Sequence, residues 1–273
     1  MKHRLNTTGA LKPYLLLVAV LVAFAICLLE GGCAMQRYNL PQTTTAIFSW
    51  GVISNEDRAL LEETGVQTVF VEVGEEEDAE TLESLSGLDV YLLTGDPSME
   101  LDQMKEAVLR AQNNNYAGLV LDVEPYTLDE WSQEESRPSI VNTYCDQMEE
   151  LYAYAQEHDV ELILCIPYWY DDLGLSDQLE RIAQACDGMC VMNYCRGNES
   201  QNIAAEYELA GKYHKKLWTA YELNQSDGEG VLDYNTYHDQ GILAVQENYE
   251  QNFANTGIGL AYHDLASLRE VTA

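Results

Sequence analysis

Two acidic residues two positions apart, Asp122 and Glu124, follow a wholly apolar run at 118–121. If that run is a β-strand, side chains two residues apart project from the same face, so the two carboxyl groups share one space. Neighbouring carboxylates raise one another's pKa, so one of them can stay protonated near neutral pH while the other stays ionised. The pair therefore predicts a site of general acid catalysis, and an exposed acidic loop is the alternative.

Polar or aromatic residues also end other apolar runs of the chain. Aromatic rings at such positions suit sugar binding, because flat rings match the apolar faces of pyranoses, and half-buried packing is the alternative for each of them. For the histidine among them, the alternative is a structural hydrogen bond. We predict substrate-binding roles for six residues: Trp50, Tyr126, Tyr168, Trp169, Tyr262 and His263.

The runs that carry these residues alternate with segments of helical spacing, which is typical of βαβ units and a parallel sheet. Eight such units predict a (β/α)8 TIM barrel, whose active site lies at the C-terminal ends of the strands. A doubly wound open sheet is disfavoured, because the segment 49–52 is not a glycine-rich phosphate turn. The predicted strands are 46–50, 66–73, 89–94, 118–124, 161–168, 188–194, 217–222 and 259–263.

Start signals precede several of the predicted helices. Ser54, Ser98 and Ser176 are the expected N-caps of helices that begin at residues 55, 99 and 177. The longest predicted helix, 140–158, has an apolar stripe at spacings of three and four, which should pack on the barrel. The stripe consists of Val141, Tyr144, Cys145, Met148, Leu151, Tyr152 and Ala155.

The net charge of the chain is −32, from 46 acidic and 14 basic residues. A field of this sign opposes every contact with a phosphate, so we expect no nucleic acid partner. We expect a monomer that requires no cofactor. Cys186, Cys190 and Cys195 match no usual zinc spacing and have no histidine within ten residues, so we predict no metal site. Five cysteines follow residue 37, and an odd number cannot form a complete disulfide framework.

The N-terminal segment 1–37 has the pattern of an export signal or membrane anchor. Basic residues lead an uncharged apolar run at 14–29, which predicts that the bulk of the chain is exported. The string that ends at Cys33 resembles a bacterial lipobox, so a lipidated cysteine and an uncleaved anchor both remain open. The remainder, 38–273, is predicted to be one barrel domain, because roughly 230 residues are close to the ~250 typical of this fold.

The run that ends in Glu124 resembles the fourth-strand motif D-G-x-D-x-D-x-E of the chitinase-like glycoside hydrolases of family 18. Gly118, Asp122 and Glu124 match the motif, whereas Ala117 and Val120 replace its first two acids. The resemblance implies that Glu124 protonates the leaving sugar oxygen. It also implies that Asp122 positions the acetamido group of the substrate as an internal nucleophile.

A second element, Met192-Asn193-Tyr194, resembles the family's M-x-Y-[DN] motif, whose tyrosine holds the acetamido carbonyl. The resemblance therefore implies that role for Tyr194. Cys195 stands where the family has an acid or amide, and the predicted eighth strand lacks the family's tryptophan.

Three functional alternatives remain beside this mechanism. Glu222 ends the predicted seventh strand, where the related retaining barrel glycosidases carry a nucleophilic glutamate about 5–5.5 Å from the acid. A catalytically silent barrel that binds glycan or peptidoglycan is a second alternative, since two motif acids are replaced. A metal-dependent amidohydrolase or deacetylase barrel is disfavoured, because the histidines form no paired set. We expect an extracellular glycan or cell-wall polysaccharide as substrate, with the membrane contacted through segment 1–37.

Overall fold

The computed structural model describes residues 38–228 and 230–272. Eight parallel strands pair in chain order, and β8 pairs with β1, so the sheet closes into a barrel. The predicted (β/α)8 TIM barrel is confirmed. The strands are β1 (Ala46–Ser49), β2 (Thr68–Val71), β3 (Asp89–Thr94), β4 (Gly118–Leu121), β5 (Glu161–Pro167), β6 (Gly188–Met192), β7 (Lys216–Glu222) and β8 (Gly259–His263).

The α-helices lie between and after the strands. They are α1 (Asn55–Glu63), α2 (Asp78–Ser84), α3 (Leu101–Asn114), α4 (Arg137–Glu157), α5 (Ser176–Gln184), α6 (Glu199–Asn202), α7 (Ala204–Tyr213), α8 (Gly241–Phe253) and α9 (Leu265–Thr272).

The apolar stripe predicted for the longest helix lies on α4. Six of its seven residues are buried against the barrel, as amphipathic spacing requires. Tyr152 is the exception, because it is only half-buried and its hydroxyl donates a 2.9 Å hydrogen bond to Asp187.

The predicted start signals are confirmed at only one of three helices. Ser54 caps α1 in a capping box, in which its hydroxyl accepts from the Asp57 N–H and the Asp57 carboxylate accepts from the Ser54 N–H. The prediction for Ser98 is wrong, because its N–H and hydroxyl both donate to Asp96 in a local turn and Glu100 caps α3 instead. Ser176 is the first residue of α5 rather than its cap.

The pleat of the strands determines which residues reach the barrel mouth. Inward-facing residues such as Phe48, Val120, Cys165, Ala220 and Ala261 form the buried interior of the barrel. Because side chains alternate, the next inward position on each strand lies two residues later, at or just beyond the C-terminal end. For the five residues named, these positions are Trp50, Asp122, Pro167, Glu222 and His263.

Most predicted strands extend past the observed ends by one to three residues. Trp50, Glu124, Tyr168 and Tyr194 lie just beyond β1, β4, β5 and β6. After β4 the cause is local, because Pro125 supplies no N–H and begins a tight 3-10 turn. These residues therefore belong to the loops that surround the barrel mouth.

The predicted export segment, its apolar run at 14–29 and Cys33 lie outside the described residues. Within the part of the chain that the structure describes, every helix is too short or too polar to cross a bilayer. The cysteines there are free thiols, of which Cys195 is partly exposed and the others are buried.

Candidate active site

A cleft composed of two cavities opens at the C-terminal ends of the strands. The acidic cavity, of about 610 Å³, is lined by Trp50, Gly95, Pro97, Asp122, Glu124, Tyr126, Met192, Tyr194, Glu222, Asn224, Gly230, Val231, His263 and Asp264. The aromatic cavity, of about 280 Å³, shares six of these residues and adds Pro167, Tyr168, Trp169, Tyr234 and Asn235. The barrel therefore brings nearly all of the residues predicted for the site into one cleft.

Asp122 lies at the base of the acidic cavity, two residues after the buried Val120. Its Oδ1 atom is buried and has no hydrogen-bond partner among the described residues. Burial and the charge of Glu124 together raise the pKa of Asp122 to about 7, against the opposing effects of His263 and the Cys165 thiol. Asp122 is thus the member of the pair that holds a proton near neutral pH.

Gly95, a residue that sequence reasoning missed, permits this position of Asp122. A Cβ atom at Gly95 would lie 2.1 Å from the Asp122 carbonyl oxygen, so only glycine fits there. The Asp122 N–H donates to the Thr94 carbonyl at 3.0 Å, which continues the pairing of β3 with β4. The sequence does contain a signal for this close approach, because Gly95 directly follows a predicted strand.

Glu124 is partly buried, and the turn that follows it fixes its position. The Tyr126 hydroxyl donates a hydrogen bond to its Oε1 atom. The N–H and hydroxyl of Thr127 donate to the Glu124 carbonyl at 2.9 and 2.8 Å. With one carboxyl oxygen bound by tyrosine, the Oε2 atom is the one left to exchange a proton with a ligand.

Glu222 is 4% exposed and lies in a hydrogen-bond network that includes Asn224, a residue that was not predicted from the sequence. Its Oε1 atom accepts from the N–H and side-chain amide of Asn224 at 2.8 and 2.7 Å. His263 Nδ1 lies 3.2 Å from Oε2 and 3.3 Å from Oε1. Ser267 orients Asn224 through a 2.7 Å hydrogen bond to its amide oxygen.

This network sets the charges of Glu222 and His263. Burial acts to raise the pKa of Glu222, but hydrogen bonds from His263 and Asn224 outweigh it, so the pKa is lowered and the carboxylate is ionised. Burial acts to lower the pKa of His263, but the hydrogen bond and charge of Glu222 outweigh it and raise the pKa. The two groups form an ion pair in the cleft wherever the histidine is protonated.

Tyr194 packs on the inward-facing core residues and lines both cavities. Its ring centroid lies 5.7 Å from that of His263, and the ring of Trp50 lies 6.3 Å from the same histidine. Burial, with the charges of Glu222 and Asp122, raises the pKa of Tyr194 well above its usual range. Its hydroxyl is therefore a neutral hydrogen-bond donor for a ligand in the cleft.

Four rings from two loops pack together beside Glu124. Tyr126 and Trp131 follow β4, and Trp169 and Tyr170 follow β5, with ring centroids 5.0 to 6.4 Å apart. Tyr170 is buried, whereas Tyr168 and Trp169 are partly exposed and line the aromatic cavity. The arrangement provides ring surface for a sugar next to the acid pair.

Tyr262 is the one predicted binding residue that does not line the cleft. It lies between Ala261 and His263 on β8, so its side chain projects outward from the barrel toward α8. It is fully buried, and its hydroxyl accepts a 3.2 Å hydrogen bond from Gln246. Within residues 38–228 and 230–272, no group of three or more histidine, cysteine or acidic side chains is placed to hold a metal ion.

No protein-family model matches the sequence, and no curated protein matches it. Solved structures do match. A GH18 chitinase from Pseudoalteromonas aurantia aligns at 11% identity over 84% of this chain and 96% of that chain, with a TM-score of 0.53. Aspergillus fumigatus Ega3, solved with galactosamine, aligns at 11% identity over 87% and 97%, with a TM-score of 0.51.

Tryptophan synthase from M. tuberculosis also aligns, at 13% identity over 84% of this chain and 90% of that chain, with a TM-score of 0.46. At such identities the likeness shows the shared barrel fold alone. The chain is therefore a TIM barrel that is distantly similar in structure to a GH18 chitinase and to Ega3.

Proposed function

We propose that this protein is an exported glycoside hydrolase that acts on an extracellular glycan or cell-wall polymer, with Glu124 as the general acid. The observation that carries the proposal is the Asp122–Glu124 pair, in which the pKa of one carboxyl is raised to about 7 inside a cleft that aromatic rings border. Glycoside hydrolysis needs one protonated and one ionised carboxyl group beside the scissile bond.

The roles follow from the contacts of each group. Asp122 holds the proton of the resting pair and passes it to Glu124 when the substrate binds. Glu124, whose Oε1 is bound by Tyr126, then gives this proton to the leaving sugar oxygen through Oε2. Glu222 is the ionised carboxylate of the same cavity. It stabilises the positive charge that develops on the sugar ring, and it is the best candidate nucleophile.

Two nucleophiles are possible in this cleft. One is the carboxylate of Glu222, and the other is an acetamido group of the substrate that Tyr194 and Asp122 would hold in place. Oε1 of Glu222 accepts from Asn224 and His263. Among the described residues, Oε2 accepts only from His263, which leaves a lone pair on Oε2 for attack. We expect Glu222→Ala to stop turnover and azide to restore part of it, because the small anion takes the place of the lost carboxylate. Turnover reduced only about 10- to 100-fold, the cost of a hydrogen bond to a charged group, with no effect of azide, would assign the attack to the substrate.

The pH dependence of catalysis tests the shared proton. Because the pKa of Asp122 is about 7, the pair carries one proton below that pH and loses it above. We expect kcat/KM to fall as the pH rises through about 7. In Asp122→Asn this fall near pH 7 should be absent, since the carboxyl group whose pKa is about 7 has been removed. A fall that stays at the same pH in the variant would show that another group controls it.

A catalytically silent glycan-binding barrel is the second candidate. The family 18 motif has an acid where this chain has Val120, and Val120 is fully buried among the core residues. The apolar side chain removes one charge from beneath Asp122, which is the kind of change expected where catalysis has been lost.

We also propose that segment 1–37 tethers the barrel to the outer face of the cell membrane. If Cys33 is lipidated, Cys33→Ala should release or misprocess the protein, whereas an uncleaved anchor should be indifferent to that change. Mass spectrometry of the membrane fraction distinguishes the two, because an intact Met1 N-terminus excludes the lipoprotein.

A further inference from the structure

Among residues 38–228 and 230–272, no lysine or arginine lines either cavity, and Arg137, the first residue of α4, lies over the ring of Trp131 in the neighbouring aromatic cluster. Only Arg196 lies in a loop between the C-terminal end of a strand and the next helix, and its guanidinium donates to the Asp233 carbonyl. The loops that connect the C-terminal ends of the strands to the following helices carry many acidic residues. Among them are Glu72, Asp96, Asp122, Glu124, Asp129, Glu130, Asp171, Asp172, Asp239 and Asp264.

The cleft itself has the same sign of charge. In the described chain, neither cavity is lined by a lysine or arginine. The one basic side chain, His263, is already paired with Glu222. A cleft of uniform sign with low-dielectric walls concentrates ligands of the opposite charge.

The buried Oδ1 atom of Asp122 is a second, independent sign of a cationic ligand. It accepts no hydrogen bond from any described residue, and a buried carboxyl oxygen without a donor is costly. An acetamido N–H would satisfy this atom but would leave the negative charge of the cleft unbalanced. An ammonium group donates to the atom and, as an opposite charge, favours the ionised form of Asp122, so the single proton of the pair moves to Glu124 when the ligand binds.

We propose that the glycan bound by the cleft is a polymer of amino sugars whose amino groups are free and positively charged, with one ammonium group beside Asp122. This inference rests on the hydrolase proposed above and specifies its substrate class. It fits attack by Glu222, because a sugar with a free amine has no acetamide to attack in its place. It also excludes glycans that carry carboxylates near the scissile bond, which the cleft would repel.

The test compares hexamers of glucosamine and galactosamine with their fully N-acetylated counterparts. Binding is measured by calorimetry on the full-length Glu124→Gln chain, because this substitution prevents hydrolysis. The measurement is made at mildly acidic pH, which keeps the amines protonated. We expect the free-amine hexamer of at least one sugar to bind at least about tenfold more tightly than its N-acetylated form. This preference should largely disappear between about 0.05 and 0.3 M salt, as the Debye length shortens.

Two further changes in the same background show whether the preference arises at Asp122. Asp122→Asn should remove most of it. Glu63→Gln removes the same formal charge from an exposed position at the end of α1, near the opposite end of the barrel, and should leave it intact. Equal loss in both variants would mean that overall charge rather than the cleft attracts the ligand, and would overturn the proposed ammonium site.

The outcomes separate this inference from the proposed function. N-acetylated hexamers that bind as tightly as the free amines, or free amines that do not bind, overturn the inference. If the wild-type chain cleaves only N-acetylated hexamers, the hydrolase stands and the free-amine substrate falls. If the amine hexamers bind with the predicted dependence on salt and Asp122 but are never cleaved, the ligand class stands and the hydrolase falls.

Discussion

Glu124→Gln is expected to abolish glycan hydrolysis while leaving the fold and ligand binding largely intact. The amide keeps the size of the carboxyl group and can keep the hydrogen bond from Tyr126, but it cannot donate the proton that the leaving oxygen needs. We expect kcat to fall by at least about 10²-fold, the usual contribution of a positioned general acid. The measurement is release of reducing ends from labelled oligosaccharides, with binding followed by calorimetry.

The matched control for this change is Glu130→Gln. Glu130 lies in the same loop but is exposed, and it does not line the cleft. It should have no measurable effect. Asp122→Asn should reduce turnover somewhat less than Glu124→Gln, because Asp122 holds and orients but does not deliver the proton. Turnover that survives Glu124→Gln unchanged would refute the assignment and favour the glycan-binding barrel.

The stability of the barrel is expected to fall as the pH rises from about 4.5 to about 8, because of Glu206 on α7. Glu206 is fully buried, and neither carboxyl oxygen has a hydrogen-bond partner among the described residues. Burial raises its pKa to about 8 from 4.5. The folded state therefore keeps a proton that the unfolded chain releases in this range. The contribution of Glu206 to the free energy of unfolding decreases by about 1.4 kcal/mol per pH unit until the folded pKa is passed.

Glu206→Gln should remove this contribution, since the amide is neutral at every pH. At pH 8 we expect the variant to be more stable than the wild type by roughly 4 kcal/mol, and at pH 4.5 to be about equal. Asp122, whose pKa is also raised, leaves a smaller slope in the variant. Glu208→Gln, an exposed position two residues along the same helix, is the control and should follow the wild type. The measurement is the free energy of unfolding from urea titrations across the pH range. If its dependence on pH is parallel in the wild type and Glu206→Gln, Glu206 does not cause the loss of stability.

The barrel could be predicted because the sequence patterns of its strands and helices are local and recur eight times. Each apolar run that ends in a polar residue marks a strand, and eight of them in alternation with helices indicate closure. The pleat then places Trp50, Asp122, Glu222 and His263 at the mouth, because each lies two residues after a buried inward-facing position. The same rule excludes Tyr262, which has the opposite parity. That placement could have been read from the sequence once Ala261 and His263 were taken as inward-facing.

Other features of the site depend on contacts between distant segments and have no local signal. The sequence identifies an acid pair, but only the depth of each side chain shows that the raised pKa belongs to Asp122. Asn224 acts through Glu222, a neighbour that it reaches only because the chain turns after β7. Glu206 lies near the start of a helix, two residues before the exposed Glu208, and resembles an ordinary surface acid, although it is fully buried.

Cleavage of a glycan by the wild-type full-length chain tests most directly whether the Asp122–Glu124 cleft hydrolyses glycosidic bonds. End-labelled oligosaccharides of amino sugars, with and without N-acetyl groups, are incubated with the protein, and the products are separated by length. We expect shorter labelled products at a rate proportional to enzyme concentration, and none with Glu124→Gln. Tight binding of these oligosaccharides with no shortened product, at any pH below about 7, would contradict it.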